Sequence, residues 1–355
     1  MNNILVVNTG STSTKIAVFN SLQQIFKAAV SHSTAELAPF ADIAGQKEFR
    51  KDVIRKILSE HHLELGELDA IVGRGGLLKP VESGTYFVNE AMLRDLSIGI
   101  SGRHASNLGG LIAYELAADY GIPAYIANPV VVDELDEVAR VTGLPEIRRK
   151  SIFHALNQKA VAKRFAAETG RAYEELNLIV AHLGGGISVG AHKQGRVVDV
   201  NNALDGDGPF APERAGSLPN AQLIDLCFSG RYTKEEMKRL LSSGGGLVAY
   251  FGTNSAHEAA QMAAGGDAQA KLVYAAMIYQ IGKEISALGA VFGGQVDAIL
   301  LTGGIAHDSG LIKRIGAMVG YIAPIHVYPG EDELFALAEN AQAVLSGKEQ
   351  AKTYQ

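Results

Sequence analysis

Three stretches of this chain combine glycine with amide and hydroxyl side chains in a way that suits anionic oxygens. The first is Asn8-Thr9-Gly10-Ser11-Thr12-Ser13-Thr14-Lys15, a polar turn between the apolar runs Ile4 to Val7 and Ile16 to Phe19. A turn of this kind gathers backbone N–H groups into a concave surface, where they act as fixed partial positive charges, and Lys15 adds a whole one. Read alone, the segment is equally well a Ser/Thr-rich surface turn. The second is His182-Leu183-Gly184-Gly185-Gly186 and the third Thr302-Gly303-Gly304-Ile305, each following a buried-strand pattern. Glycine there lets backbone approach a phosphate, sugar or base closely. No G-x-x-x-x-G-K-[ST] occurs in the chain, and Gly184–Gly186 runs into Ile187-Ser188-Val189, a strand rather than a helix start. The two familiar nucleotide fingerprints are therefore excluded, and hairpins remain as the phosphate-binding device.

The elements that must hold these turns read as α/β. Lys47 to His62 is an amphipathic helix, and Ala70-Ile71-Val72 a buried strand ending at Gly73-Arg74-Gly75-Gly76. Leu108 to Asp119 is helical, Ala124 to Ile126 a short strand, and Ser151 to Thr169 a helix with Phe153, Leu156, Val161 and Phe165 on one face. The pattern then starts again. Leu178 to Gly186 repeats the strand and polar turn of Leu5 to Ser11, and Val296-Asp297-Ala298-Ile299 echoes Leu68-Asp69-Ala70-Ile71. Two echoes in the same order predict an internal duplication, with a ligand cleft between the copies. The last helix, Glu333 to Leu345, is expected to return to the first copy.

Composition narrows the function classes. A chain of 355 residues exceeds what one core usually serves, and 47% hydrophobic with 20% charged residues is ordinary for a packed protein. The formal net charge of −6 argues against a nucleic-acid binder. No apolar run approaches membrane-span length, the N-terminal residues do not read as a signal peptide, and Cys227 stands alone. A cytoplasmic protein with no nucleic-acid or membrane partner is the expectation.

The turn at Asn8 resembles the first phosphate motif of the acetate and sugar kinase, heat-shock-protein 70 and actin superfamily. The likeness tightens to the acetokinase family through Arg149 to Lys159, Ala181 to Ser188, Asp199 to Phe210, Pro212-Glu213-Arg214, Thr302 to His307 and Tyr328 to Glu333. It covers almost the whole chain. The acetate-kinase pattern has Asn where Gly185 stands and Glu where His307 stands. Those departures, with Arg103 to Gly110, resemble the butyrate-kinase branch for longer acids.

The resemblance implies two duplicated ribonuclease H-like (actin-like ATPase) domains, residues 1–150 plus about 330–355 on the acid side and 151–329 on the nucleotide side. It implies ATP and ADP as cofactors with Mg2+, and reversible phosphorylation of butyrate or related acids to the acyl phosphate. An acetate or propionate kinase and a non-kinase ATPase are the alternatives. A carboxylate is already ionised at neutral pH, so no general base is needed and the difficulty is anion meeting polyanion. By resemblance, Arg74 and Arg214 bracket carboxylate and phosphoryl group, His154 donates to the phosphoryl group from its helix, and Asp133 is the catalytic aspartate. Asn8, Gly10, Ser11, Ser13, Lys15, His182, Gly184, Gly185, Gly186, Gly303 and Gly304 bind the nucleotide. Asn8, Asp133 and Glu331 serve the metal, with Asp332 and Glu333 as neighbours of Glu331 in the same acidic stretch. A homodimer or larger homo-oligomer is also implied.

Overall fold

The computed structural model describes residues 2–40 and 42–355. The chain divides into two compact units, Met1–Val132 with Asp332–Gln355, and Asp133–Glu331.

The first unit is built on β1 (Asn3–Gly10), β2 (Ser13–Asn20), β3 (Gln23–Ser31), β4 (Ala70–Arg74), β5 (Thr85–Phe87), β6 (Ala124–Ala127) and β12 (Lys352–Thr353). They form one sheet in the order β12-β5-β6-β4-β1-β2-β3. β1 and β2 make a hairpin in which Gly10 faces Ser13 and Asn8 faces Lys15, so Ser11 and Thr12 alone form the turn. β4 lies parallel to β1 and β6 parallel to β4. Ile4 to Val7 are wholly buried, the continuous apolar run of a strand covered on both faces. Helices α1 (Lys47–Glu60), α2 (Asn107–Ala118) and α6 (Glu333–Leu345) cover the sheet, α2 against β4 and α6 against β1. The α1 residues Ile54 and Leu58 enter the core, each burial contributing about 1.5–3 kcal/mol.

The second unit carries β7 (Asn177–Leu183), β8 (Ile187–Lys193), β9 (Arg196–Val200), β10 (Ala298–Gly303) and β11 (Ile325–Pro329), ordered β11-β10-β7-β8-β9. Its helices include α3 (Ala155–Thr169), α4 (Ala268–Gly289) and α5 (Ser309–Val319). Pairing directions are those of β6-β4-β1-β2-β3: two antiparallel steps through β8 and β9, two parallel steps through β10 and β11.

The duplication extends to single atoms. In the first unit the Asn3 amide donates to Asp69 Oδ2 at 2.7 Å, and Asn3 Nδ2 donates to the Glu67 carbonyl at 3.0 Å. In the second, the Asn177 amide donates to Asp297 Oδ2 at 2.8 Å and Asn177 Nδ2 to the Gln295 carbonyl at 3.1 Å. The sequence echo at Asp69 and Asp297 is therefore a conserved bracket joining the start of a first strand to the strand beside it. One helix differs in its place along the chain. α3 precedes its sheet, whereas α6, which packs against β1 and β4, follows every strand of its sheet but β12.

Two local expectations change. The helix expected from Ser151 begins at Ala155, with His154 at its N-cap (φ −78°, ψ 60°), because the His154 backbone and ring are turned toward Ser188 Oγ. The segment 133–150, expected with the first domain, packs in the second unit. There Asp136 N–H donates to the Val198 carbonyl at 2.9 Å and Arg149 Nη1 to Asp199 Oδ1 at 2.8 Å.

Candidate active site

In the first unit the polar turn is held from behind. Ser11, Thr12 and Lys15 are exposed, while Asn8, Thr9 and Thr14 are buried. Arg50 reaches up from α1, fully buried, on the 50/54/58 stripe that otherwise carries apolar side chains. Its Nη1 donates to the carbonyls of Gly10 (2.8 Å) and Ser13 (2.7 Å) and to Thr14 Oγ1, and its Nη2 donates to the Ser11 carbonyl (3.0 Å). Gln46 Oε1 takes the remaining directions, from Nη2 at 2.9 Å and Nε at 3.2 Å. Burial pulls the Arg50 guanidinium below its ordinary range. His32, at 2.8 Å from Thr14 Oγ1, is lowered by burial first and by Arg50 second.

Arg74 stands at the end of β4. A Cβ at Gly73 would overlap the Gly109 carbonyl of α2, so strand and helix meet backbone to backbone just before the arginine. Arg74 Nη2 lies 3.3 Å from Glu333 Oε1, and Nη1 lies 3.4 Å from Asn8 Oδ1. Asn8 Nδ2 closes the triangle by donating to Glu333 Oε2 at 2.7 Å. Asn8 and Arg74, assigned separate roles from the sequence, are thus neighbours through Glu333.

In the second unit the hairpin β7–β8 carries Gly184–Gly186 at its turn. His182 is buried and stacks on His154, with ring centroids 3.7 Å apart and planes within 8°. Asn157 Nδ2 donates to His182 Nδ1 at 2.8 Å, which leaves the proton on Nε2, 3.2 Å from Glu331 Oε1. His154 is set by a longer chain. Tyr173 O–H donates to His192 Nδ1 (2.7 Å), His192 Nε2–H to Gln158 Oε1 (2.9 Å), and Gln158 Nε2 to Ser188 Oγ (2.8 Å). Ser188 Oγ–H then donates to His154 Nδ1 at 2.9 Å. This assignment of donors makes His154 an Nε2–H tautomer. Burial holds His192 well below the ordinary histidine range, with Lys159 adding to the effect, so the chain is neutral.

Arg214 lies against the same glycines. A Cβ at Gly186 would overlap its guanidinium, and one at Gly185 would crowd the Glu213 carboxylate at 3.3–3.5 Å. Arg214 Nη1 donates to the Ala203 carbonyl, while its buried Nε has no partner among the described residues. Burial lowers the Arg214 guanidinium, and Glu213 and Asp205 partly offset that. Gly303 exchanges backbone hydrogen bonds with Gly330, and Gly304 lines a cavity of ≈ 620 Å3 with Ala256, Tyr274, Ile305, His307 and Asp308.

The acidic stretch divides three ways. Glu331 meets His182, Asp332 caps α6 by accepting from Phe335 N–H, and Glu333 serves Arg74 and Asn8. Asp133 binds Arg140 Nη1 through Oδ2 at 2.6 Å and accepts from Leu135 N–H. Among the described residues no three His, Cys, Asp or Glu side chains cluster as a metal site. Arg50 and the chain from Tyr173 to Ser188 were not foreseen. For Arg50 and Gln158 the one signal is a polar side chain on a helix face that periodicity assigns to the core.

A model of the acetokinase family matches residues 142–326. Butyrate kinase 2 of Clostridium acetobutylicum is 55% identical over 351 residues, 99% of each chain. A probable butyrate kinase of Clostridium botulinum is 54% identical over the same share of both chains. Among solved structures, Porphyromonas gingivalis acetate kinase superposes with a TM-score of 0.79 at 19% identity, covering 97% of this chain and 100% of that one. A propionate kinase of Francisella tularensis gives 0.76 at 20% identity, covering 96% and 99%. Those two likenesses establish the duplicated actin-like fold.

Proposed function

The chain belongs to the acetokinase family, and on that premise we propose that it transfers the γ-phosphoryl group of ATP to butyrate and related short-chain or branched acids. The products are the acyl phosphate and ADP, and the reaction is reversible. The acid oxygen attacks phosphorus in line as the bridging bond to ADP breaks, and no proton has to leave the nucleophile.

The observation that carries this reading is Arg214: half-buried, with no ion pair among the described residues, and with a buried Nε left unpartnered beside a glycine turn. A desolvated guanidinium left incomplete in this way is what an anionic substrate completes, with two parallel hydrogen bonds. Arg74 acts as its counterpart toward the acid. Its pairing with Glu333 at 3.3 Å is long enough to be exchanged for a substrate carboxylate. His154 Nε2–H donates to an equatorial oxygen of the phosphoryl group as charge builds there.

In the first unit the turn with Gly10, Ser11, Ser13 and Lys15 is a phosphate-binding surface; in the second the turn from His182 to Gly186 is another, with the adenosine in the cavity at Gly304. The first unit then serves the acid and the second the nucleotide. Mg2+ fits a site of few protein oxygens, since it keeps water and phosphate ligands and needs one or two carboxylates. Glu331 beside the glycine turn would hold it in the second unit, and it would neutralise charge on the transferring group. Asp133, which accepts from Arg140 Nη1, would act as the catalytic aspartate by helping to organise the metal.

The protein is also assigned to the cytoplasm, in keeping with its lone cysteine, and to a homo-oligomer. The exposed residues Leu144, Ile147, Leu218 and Ile224 lie on one groove of ≈ 860 Å3 in the second unit, whose lining also carries Arg148, Arg149, Lys150, Asp205 and Asp207.

Hydroxamate trapping of the acyl phosphate, run as kcat/KM over acids of two to five carbons, tests the activity. The expected maximum is at four carbons, with each methylene worth roughly 10–200-fold at most. A maximum at acetate would replace the substrate, and no hydroxamate with any acid would sink the kinase reading.

A further inference from the structure

A buried arginine ordinarily needs a carboxylate, because an uncompensated charge is costly in the interior. Among the described residues Arg50 has none: its partners are the carbonyls of Gly10, Ser11 and Ser13, Thr14 Oγ1 and Gln46 Oε1, all neutral. The groups that face it from neighbouring elements are equally uncharged. His32 is lowered from its ordinary value, burial being the larger cause and Arg50 the next, and Thr14 is shared between the two. The fold thus maintains a full positive charge beneath one two-residue turn and, among the described residues, offers it no anionic partner.

The geometry of the contacts adds a second effect. Three carbonyls of the hairpin, from the end of β1, the turn and the start of β2, converge on one guanidinium, which draws the negative ends of their peptide dipoles toward α1. Those oxygens would otherwise be free to turn toward an approaching anion. Gathering them inward leaves the amides and hydroxyls of the turn as its outward face, and the charge behind them raises the potential there.

We infer that Arg50 is a positioning residue for the nucleotide phosphates: it locks the β1–β2 turn through its carbonyls and supplies uncompensated positive charge from behind. The inference rests on the reading of that turn as a phosphate site. It goes further by placing the charge responsible inside the core, on a residue that does not touch the ligand.

The decisive variant is Gln46→Glu. A glutamate there can accept from Nε and Nη2 in the same fork, so the guanidinium and its carbonyl contacts stay in place while the charge is neutralised. Arg50→Lys keeps charge and loses the fan of hydrogen bonds. Binding of adenosine, AMP, ADP and ATP is measured by calorimetry in the presence of magnesium, with circular dichroism and melting to confirm folding. For Gln46→Glu the expected result is an unchanged melt and adenosine affinity, with ADP and ATP weakened about threefold to tenfold and the loss growing with phosphate number. Arg50→Lys is expected to raise the KM for ATP about tenfold or more while leaving the KM for the acid unchanged. ATP affinity within twofold of the parent in a folded Gln46→Glu protein, or an equal loss for adenosine, overturns the role. Ser11→Ala and Lys15→Ala separate the two layers of the argument. If they weaken ATP and the Gln46 and Arg50 variants do not, only the role of Arg50 falls. If they too leave ATP binding untouched, the turn is not a phosphate site and both readings fall.

Discussion

The two hairpins β1–β2 and β7–β8 share topology, register and the Asn–Asp bracket at their base, yet they are backed by opposite kinds of chemistry. Behind the first is a single cation whose partners are backbone carbonyls. Behind the second is a neutral chain from Tyr173 through His192, Gln158 and Ser188 to His154, with Asn157 fixing His182 beside it. The difference teaches what each copy contributes after duplication. A charge attracts and steadies a polyanion with little regard to direction. A chain of neutral hydrogen bonds does not attract one, but it fixes which ring nitrogen carries a proton and where that proton points.

The largest effect that bears on this division concerns Arg214. Its replacement by alanine is expected to lower kcat roughly 10³-fold, the scale at which a cation on a transferring phosphoryl group acts. Gly186→Ala should approach the same loss, because its Cβ occupies the space of the guanidinium. Arg74→Ala should also lose most of kcat. Near-normal turnover in folded Arg74→Ala and Arg214→Ala proteins, measured by hydroxamate formation, would remove both assignments.

A smaller effect sharpens the contrast. Gln158→Leu cuts the neutral chain at its middle, leaving the Ser188 hydroxyl free to rotate and His154 free to change tautomer. A fall in kcat of roughly 10–100-fold with an unchanged KM for ATP is expected, the mirror image of the Arg50 result. Nitrogen-15 NMR of the ring should show His154 as the Nε2–H form in the parent and a mixture in the variant. A rise in the KM for ATP instead would erase the distinction between the two backings.

The smallest effect is on stability against pH. His192 and His32 are both lowered in the folded protein, so below about pH 6.5 the unfolded chain binds protons that the folded one refuses. Stability is therefore complete above that pH and falls as the solution is acidified, by up to about 1.4 kcal/mol per pH unit for each histidine. For His32 the decline ends sooner, its shift being the lesser of the two. Melting temperatures between pH 7.5 and 5.5 should fall in the parent and fall less steeply in His192→Gln. A slope unchanged by that substitution would show that His192 is not the group responsible.

What could be read from the sequence was what lies at turns. Asn8, Gly184–Gly186, Arg74 and Arg214 sit in glycine-rich segments where local chemistry writes itself into a few adjacent letters, and the family likeness then gave each a role. The duplication was legible because Asp69 and Asp297 fall at the same point in two echoing strands. The backing was not legible. Arg50 stands on the stripe of Ile54 and Leu58 that periodicity turns inward, but nothing in the helix itself tells which carbonyls a buried cation there will meet. Asn157, Gln158 and Lys159 are likewise three buried polar residues in succession on α3, a sequence that suggests exposure. The splitting of Glu331, Asp332 and Glu333 among three tasks also depends on where the chain turns, which no count of acidic residues conveys.

The position of α6 and β12 in the chain has a consequence for how the protein is made. A ribosome delivers the β1–β2 hairpin first, but the helix that covers β1 and the strand that pairs with β5 emerge only after the whole of Asp133–Glu331. The unit begun first is therefore the one finished last, and the later unit can close while the earlier still awaits its final segment. During that interval the apolar surface of β1 and β4 intended for α6 has no cover. A nascent chain stalled near Glu331 would hold a complete second unit and an open first one, the form on which a chaperone acts.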